Sequence, residues 1–218
     1  MSQGERPAKQ SRSKLTRDKL VAALEHLLRQ RSFEDISIAD LAAEAGLSVG
    51  TVYRRFENRD ALIPVIFELY AARVTQFAAS PSGKLALEPE DGLRTALRQM
   101  VSQGWKFLTA EAHLVRAAHL YARLRPDLVG DEWEAFLEMA VASSLALIEH
   151  FGDEVSISGR REAAEIVTYL LNTSLIERAL YPQDGPAFAL TMSDEEFTAA
   201  MADAIYGYLT APPVQAPA

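Results

Sequence analysis

Cysteine is absent from this 218-residue chain, which removes disulfides, thiolate nucleophiles and cysteine-ligated zinc in one stroke. That absence is compatible with a reducing cytoplasm, the expected location. No uninterrupted apolar run reaches membrane-spanning length, so no transmembrane helix is expected. The opening segment, MSQGERPAKQSRSKLTR, is polar and basic and lacks the apolar stretch of a signal peptide. Strand-like alternation of useful length and internal repeats are also missing. Catalytic signatures are equally scarce: the chain holds no His-Glu-x-x-His, no phosphate-loop glycine pattern and no Gly-x-Ser-x-Gly elbow. His113 and His119 lie about 120° apart around one helix and do not form a joint metal site. Glu149-His150 is an adjacent pair whose side chains diverge. No enzyme, metal site or cofactor is expected.

What the chain does have is apolar content near half, ordinary for a globular core, and an uneven charge. The net charge is −8, yet residues 1–60 hold 11 Lys and Arg against 9 Asp and Glu, and residues 61–218 hold 11 against 21. Only a surface that meets DNA must be positive, so an acidic remainder permits DNA binding without establishing it.

Helical periodicity predicts an all-α fold. Residues 1–13 read as a disordered basic arm that touches DNA or is merely solvated. A helix from Lys14 to Arg31 carries the buried stripe Leu20, Ala23, Leu24, Leu27 and Leu28. Ser37 caps a helix at Ile38–Ala45 that Gly46 ends, and Ser48 caps another at Val49–Phe56. Asn58 caps a long fourth helix to Ala78, in which Pro64 is expected to cause a kink. Residues 79–92 form the clearest linker. Helices follow at 89–108, 110–124, 127–151 and 159–180. The last starts at the capping box Ser193-Asp-Glu-Glu196 and ends near Leu209, with residues 210–218 a disordered tail. The expected domains are residues 14–60 and 61–209.

The stretch Ile38–Glu57 has the pattern of a helix-turn-helix. Ala42 lets two short helices touch, Gly46 supplies the turn, and Leu41, Ala45, Leu47 and Val52 close a small core. The second helix then presents Val49, Gly50, Thr51, Tyr53 and Arg54 outward, with Arg55 near the edge, in the manner of a helix that enters the major groove. Thr51 can donate to a base or phosphate, and Tyr53 and Arg54 suit phosphate or base contacts. A helical hairpin packed for structure alone is the plainer alternative; the Ser48-x-Gly50-Thr51-x-Tyr53 surface and the Arg54-Arg55 pair favour DNA.

Thr16, Ala22, Ala23 and Leu27, followed by Phe33-x-x-Ile-Ser-Ile-Ala-Asp-Leu-Ala-x-x-Ala-Gly-Leu-Ser-x-Gly-Thr-Val-Tyr-x-x-Phe-x-Asn-Arg-Asp-x-Leu62, resemble the N-terminal domain of the tetracycline-repressor (TetR) family. The resemblance covers about residues 14–65. It implies a homodimeric, one-component regulator with a three-helix DNA-binding domain, a long fourth helix, and a variable C-terminal domain for effector binding and dimerisation. Thr51 and Tyr53 match the family's DNA-contact positions, and Arg59 stands where the family has a lysine near a phosphate. The expected DNA-binding set is therefore Thr16, Ser37, Ser48, Val49, Gly50, Thr51, Tyr53, Arg54, Arg55 and Arg59, acting on a palindromic operator. Repression released by an effector is the expected function, and an effector-independent DNA-binding protein whose C-terminal domain only dimerises is the alternative.

In the C-terminal region the helix at 159–180 is apolar nearly all round and should be buried on two sides. This helix and the last one are expected to pair with their copies as a four-helix dimer interface, as in the resembled family, through Ile166, Leu170, Thr173, Phe197, Met201, Ile205 and Tyr208; burial within one subunit is the other reading. Candidates for the pocket of an apolar or aromatic effector are Phe67, Tyr70, Trp105, Phe107, His113, His119, Tyr121, Trp133, Phe136, Tyr169 and Asn172. Each of these is also compatible with an ordinary core role.

Overall fold

The computed structural model describes residues 5–88, 90–181 and 189–212, with side chains from Ser13 onward. Those residues contain nine α-helices and no β-strand: α1 (Glu5–Leu28), α2 (Ile38–Glu44), α3 (Val49–Tyr53), α4 (Ile63–Ala79), α5 (Leu93–Ala110), α6 (Ala112–Leu124), α7 (Pro126–His150), α8 (Arg160–Leu180) and α9 (Asp194–Thr210). Short 3₁₀ turns lie at Phe33–Asp35, Asp60–Leu62 and Pro81–Gly83.

Two compact units emerge from the packing. Met1–Ala72 joins His113–Val129 in the first, and Arg73–Ala112 joins Gly130–Ala218 in the second. The start of α4 and all but the first residue of α6 thus belong with the helix-turn-helix, whereas the sequence placed everything from residue 61 onward in one C-terminal domain.

In the first unit α1 contributes Leu20, Leu24 and Leu27, α2 contributes Leu41, and α3 contributes Val52; Phe33, Ile36, Leu62 and Ile66 complete the core. Burying each such side chain is worth roughly 1.5–3 kcal/mol, so this small core holds three short elements in fixed relation. Tyr121 of α6 meets Phe33 edge to face at 5.1 Å and donates to Glu34 at 3.0 Å. Arg125 pairs with Asp60 and with Asp127. Arg17 of α1 pairs with Glu68 of α4.

Helix α1 corrects the expectation for residues 1–13. It begins at Glu5, so residues 5–13 continue the helix rather than forming an irregular arm. Ala8, Lys9, Gln10 and Arg12 are good helix formers, Pro7 falls in the first turn where its missing amide is harmless, and the buried stripe downstream pre-forms the turns onto which they add. Residues 1–4 and 213–218, part of the expected arm and tail, lie outside the described residues.

Pro64 also behaves differently from expectation. Asn58 Oδ1 accepts from the Ala61 amide at 3.1 Å and starts a 3₁₀ turn, and α-helical structure begins only at Ile63. The proline is therefore in the first turn of α4, where no intrahelical partner is required of it. By length and composition Asp60–Ala79 is long and apolar enough to cross a membrane, contrary to the expectation that no segment is. Burial of Ile63, Val65, Ile66, Phe67 and Tyr70 within the protein accounts for the apolar content of its first half, and the Asp60 and Glu68 ion pairs interrupt it.

The second unit is centred on α5, which packs most extensively against α9 and also against α8. Glu154 accepts from the Leu93 amide at 2.9 Å and so caps α5 from the turn after α7. Arg98 and Arg94 both reach Asp203, at 2.8 and 3.6 Å, and Arg94 stacks over Tyr206. The predicted capping box at α9 is present: Ser193 Oγ accepts from the Glu196 amide at 3.2 Å, and Glu196 accepts from the Ser193 amide at 2.8 Å. Between α7 and α8, the buried hydroxyls of Ser144 and Thr168 bond at 2.9 Å, and Arg161 reaches both oxygens of Glu138 at 2.8 Å.

The residues expected at a dimer interface divide sharply. Phe197 and Ile205 lie in the subunit's own core, where Trp105 meets Phe197 edge to face and Arg178 stacks over it. Their apolar stripe on α9 is consumed by α5, the neighbour that periodicity alone could not name. Ile166 is 44 % exposed and Thr173 is also exposed, while Leu170, Met201 and Tyr208 are half-buried.

Candidate nucleic-acid interface

The turn between α2 and α3 follows from two capping devices. Ser37 Oγ accepts from the Asp40 amide at 3.1 Å while Asp40 accepts from the Ser37 amide at 2.9 Å, closing a capping box at the start of α2. The Ser37 hydroxyl also donates to the Asp40 carboxylate at 2.6 Å, and this bond, with that from the Ser37 amide, holds the Asp40 carboxyl below its usual range. At the other end Gly46 adopts φ 64°, and the amides of Gly46 and Leu47 bond back to the carbonyls of Ala43 and Ala42. This is the Schellman arrangement, which needs a left-handed residue and therefore glycine.

Ser48 then caps α3 by accepting from the Thr51 amide at 3.3 Å. Helix α3 ends one turn earlier than expected, at Tyr53, with the chain turning through Arg54 and Arg55 to the buried Phe56. Val52 is fully buried against the α1–α2 core, which forces the opposite side of α3 outward. Val49 is 41 % and Tyr53 53 % exposed, and Ser48, Gly50 and Arg54 flank them on the accessible side. An apolar valine and a tyrosine held in water on a five-residue helix are poorly explained by packing within the unit.

Thr51 is half-buried. Its hydroxyl bonds Ser48 Oγ and accepts from Arg54 Nη2, both at 2.9 Å. The expected donation from Thr51 to a base would compete with these bonds, whereas Arg54 is already held across the front of the helix. Ser37, Val49, Tyr53 and Arg59 line one concavity of about 450 Å³ beside α3, together with Glu34 and Ile38. Arg59 donates to the Glu34 carbonyl at 2.8 Å and lies over the Phe33 ring, so its charge is fixed at that rim. Arg55 turns the other way and donates to Ser13, to the carbonyl at 2.5 Å and to Oγ at 2.9 Å. Thr16 is half-buried on α1. Ser13, Glu34 and Asp40 were not among the expected site residues. Of these, only Asp40 was legible in advance, as the third residue after a capping serine.

The candidate effector residues divide between the two units. Phe67, Tyr70, His113, His119 and Tyr121 belong to the first unit. There Tyr70 Oη and His119 Nε2 bond at 3.2 Å in the core, and His113 lies 3.9 Å from Glu25. Burial lowers the His119 pKa to about 4, aided by the Arg123 charge, and raises that of Tyr70. In the second unit Phe107 packs on Phe77 at 4.9 Å, Trp133 stacks on Phe136, Tyr169 is 66 % exposed and Asn172 is half-buried. A cleft of about 590 Å³ does exist in this unit, lined by residues of α4, α5, α7 and the segment after α4, but none of the candidates lines it.

A small core that presents the second of two glycine-turned helices to solvent, in an all-helical chain, defines a helix-turn-helix DNA-binding regulator. Residues 20–66 match the family described as bacterial regulatory proteins, tetR family, a family of regulators rather than enzymes. It is 28 % identical over 163 residues to the HTH-type transcriptional regulator EthR of Mycobacterium tuberculosis, covering 74 % of this chain and 72 % of that protein. Among solved structures, a transcriptional regulator from Rhodococcus sp. Rha1 shares the fold at a TM-score of 0.61 and 18 % identity, covering 90 % of this chain and 98 % of that one. The TetR family transcriptional regulator PfmR of Thermus thermophilus does so at a TM-score of 0.59 and 19 % identity, covering 86 % of this chain and 96 % of that one.

Proposed function

We propose that this regulator is a homodimeric repressor that holds a palindromic operator with its two copies of α3 and releases it when a small-molecule effector binds the second unit. The observation that carries this reading is the exposed Val49–Tyr53 face, with Arg54 tied to Thr51 in front of it. An arginine held in place loses less side-chain freedom when it meets a phosphate or guanine. Ser37, Tyr53 and Arg59 around one concavity offer hydroxyls and a charge to a DNA backbone oxygen.

Dimerisation supports the palindrome. The exposed Ile166 and Tyr169 on α8 form an apolar, aromatic face suited to a second copy, and a two-fold pair would set the recognition helices about 34–36 Å apart, one turn of DNA. Such a protein acts in the cytoplasm, where bacterial DNA lies. The cleft in the second unit favours an effector-responsive regulator over one whose C-terminal part only dimerises.

Selection of bound sequences from a random DNA pool tests the proposal. An inverted repeat is the expected product, with affinity falling steeply as salt rises. Tyr53→Ala and Arg54→Ala are each expected to lose about tenfold or more in operator affinity, on the order of 1–3 kcal/mol, with unchanged melting. Wild-type affinity in both variants would refute the recognition surface.

A further inference from the structure

We propose that the cleft beneath residues 84–88 binds an amphiphile with an apolar chain and a cationic amine head. The inference rests on the effector-released reading and names the ligand class and the site.

After α4 the chain makes a 3₁₀ turn at Pro81–Gly83, seated so close that a Cβ on Gly83 would collide with the Phe77 carbonyl oxygen. It then runs across α5 as a strap. Gln99 accepts from the Ala86 amide at 2.9 Å and donates to the Ala86 carbonyl at 2.8 Å, and Gln103, one turn on, donates to the Lys84 carbonyl at 3.0 Å. Two side chains thereby do for the strap what a neighbouring strand does in a sheet, bonding alternate residues. Exposure alternates to match: Lys84, Ala86 and Glu88 are exposed, and Leu85 and Leu87 are half-buried. The two leucines line the cleft of about 590 Å³ together with Phe77, Met100 and Leu147.

Its size falls within the range of roughly 300–1,000 Å³ usual for small-molecule sites. Its composition changes along its length. Leu85, Leu87 and His150 also border an adjoining concavity of about 640 Å³, whose other lining residues include Glu88 and Asp91. Asp91 is fixed there by accepting from the Glu88 amide at 2.8 Å. No lysine or arginine lines either space among the described residues. An apolar trough that opens onto two carboxylates matches an apolar chain ending in an ammonium group, whose donors would meet acceptor-only oxygens. A carboxylate head would meet like charge in the same place. Gln99 and Gln103 are positioning residues: they hold the leucine wall by its backbone.

Calorimetric titration of the full-length protein with n-decylamine, decanol and decanoate, all below micelle-forming concentrations, tests the assignment. The expected result is one decylamine per chain, with decanol weaker and decanoate at least tenfold weaker than the amine. Glu88→Gln should weaken decylamine towards the affinity of decanol and leave decanol unchanged. Ala146→Phe fills the cleft from its wall on α7 and should abolish binding with unaltered melting. Gln103→Ala, which frees the strap, should weaken all three ligands alike. Several amines per chain or undiminished binding by Ala146→Phe would indicate adsorption to an acidic surface, and equal binding of decanoate would show that the head group is not read; each would overturn the proposal. Operator release is measured separately. If decylamine occupies the cleft without releasing DNA, the site stands and the effector reading fails. If another compound releases DNA while this series does not bind, the reading stands and the site fails.

Discussion

His119 gives the most quantitative test of the first unit. It is buried beside Tyr70, and burial, with help from Arg123, lowers its pKa from the ordinary 6.5 to about 4. Between those two values the unfolded chain holds a proton that the folded chain does not, so stability must rise with pH across the window and fall as acid is added. Its contribution is fully present above about pH 6.5 and is lost as pH drops through 6.5 towards 4. At ~1.4 kcal/mol for each tenfold of acidity, the whole window is worth ~3 kcal/mol, of which ~2.5 kcal/mol disappears between about pH 7 and about pH 4.5. Urea denaturation at closely spaced pH values reads this directly. His119→Gln will be less stable at neutral pH, but its stability should fall less steeply than wild type across that interval. The carboxylates with lowered pKa, among them Asp40 and Asp203, contribute loss only at the acid end and equally in both proteins. Parallel profiles for wild type and His119→Gln would show that the imidazole is not held neutral by burial, and the account of this core would be wrong.

Three further outcomes are expected. Gly46→Ala places a Cβ on a left-handed residue and should cost about 1–2 kcal/mol in thermal unfolding, with a parallel loss of operator affinity. Ser37→Ala removes half of the α2 capping box and should lower stability by ~1 kcal/mol; an unchanged melting temperature would discount that cap. Arg55→Ala severs the link to Ser13 and should speed amide exchange over residues 14–20, while global stability changes by less than ~1 kcal/mol.

Where a capping serine starts a helix, the sequence was readable to the residue. Ser37, Gly46, Ser48 and Ser193 each satisfy backbone groups within four positions of themselves, and α2, α3 and α9 start where these residues dictate. Where a partner distant in sequence decides, it was not. Ile205 and Phe197 look equally ready for a second subunit or for α5, and only the packing assigns them to their own chain. His119, Tyr121 and Phe67 are aromatic or polar in helical register, as pocket residues would be, yet α6 carries the first two into the core behind the helix-turn-helix. The cleft was hidden for the converse reason. One of its walls consists of linker residues, and Leu85 and Leu87 acquire a common face only because Gln99 and Gln103 grip the backbone beside them.

The hydroxyl pair between α7 and α8 has a mechanical corollary. Sliding one helix past the other by a single turn would strand both Ser144 and Thr168 in apolar surroundings, and the Arg161–Glu138 fork would part at the same moment. Unsatisfied groups of this kind act as detents, so the two helices should travel together as one stiff slab. Any signal crossing this unit must tilt or displace that slab whole, and cannot be spread out as gradual slippage along it.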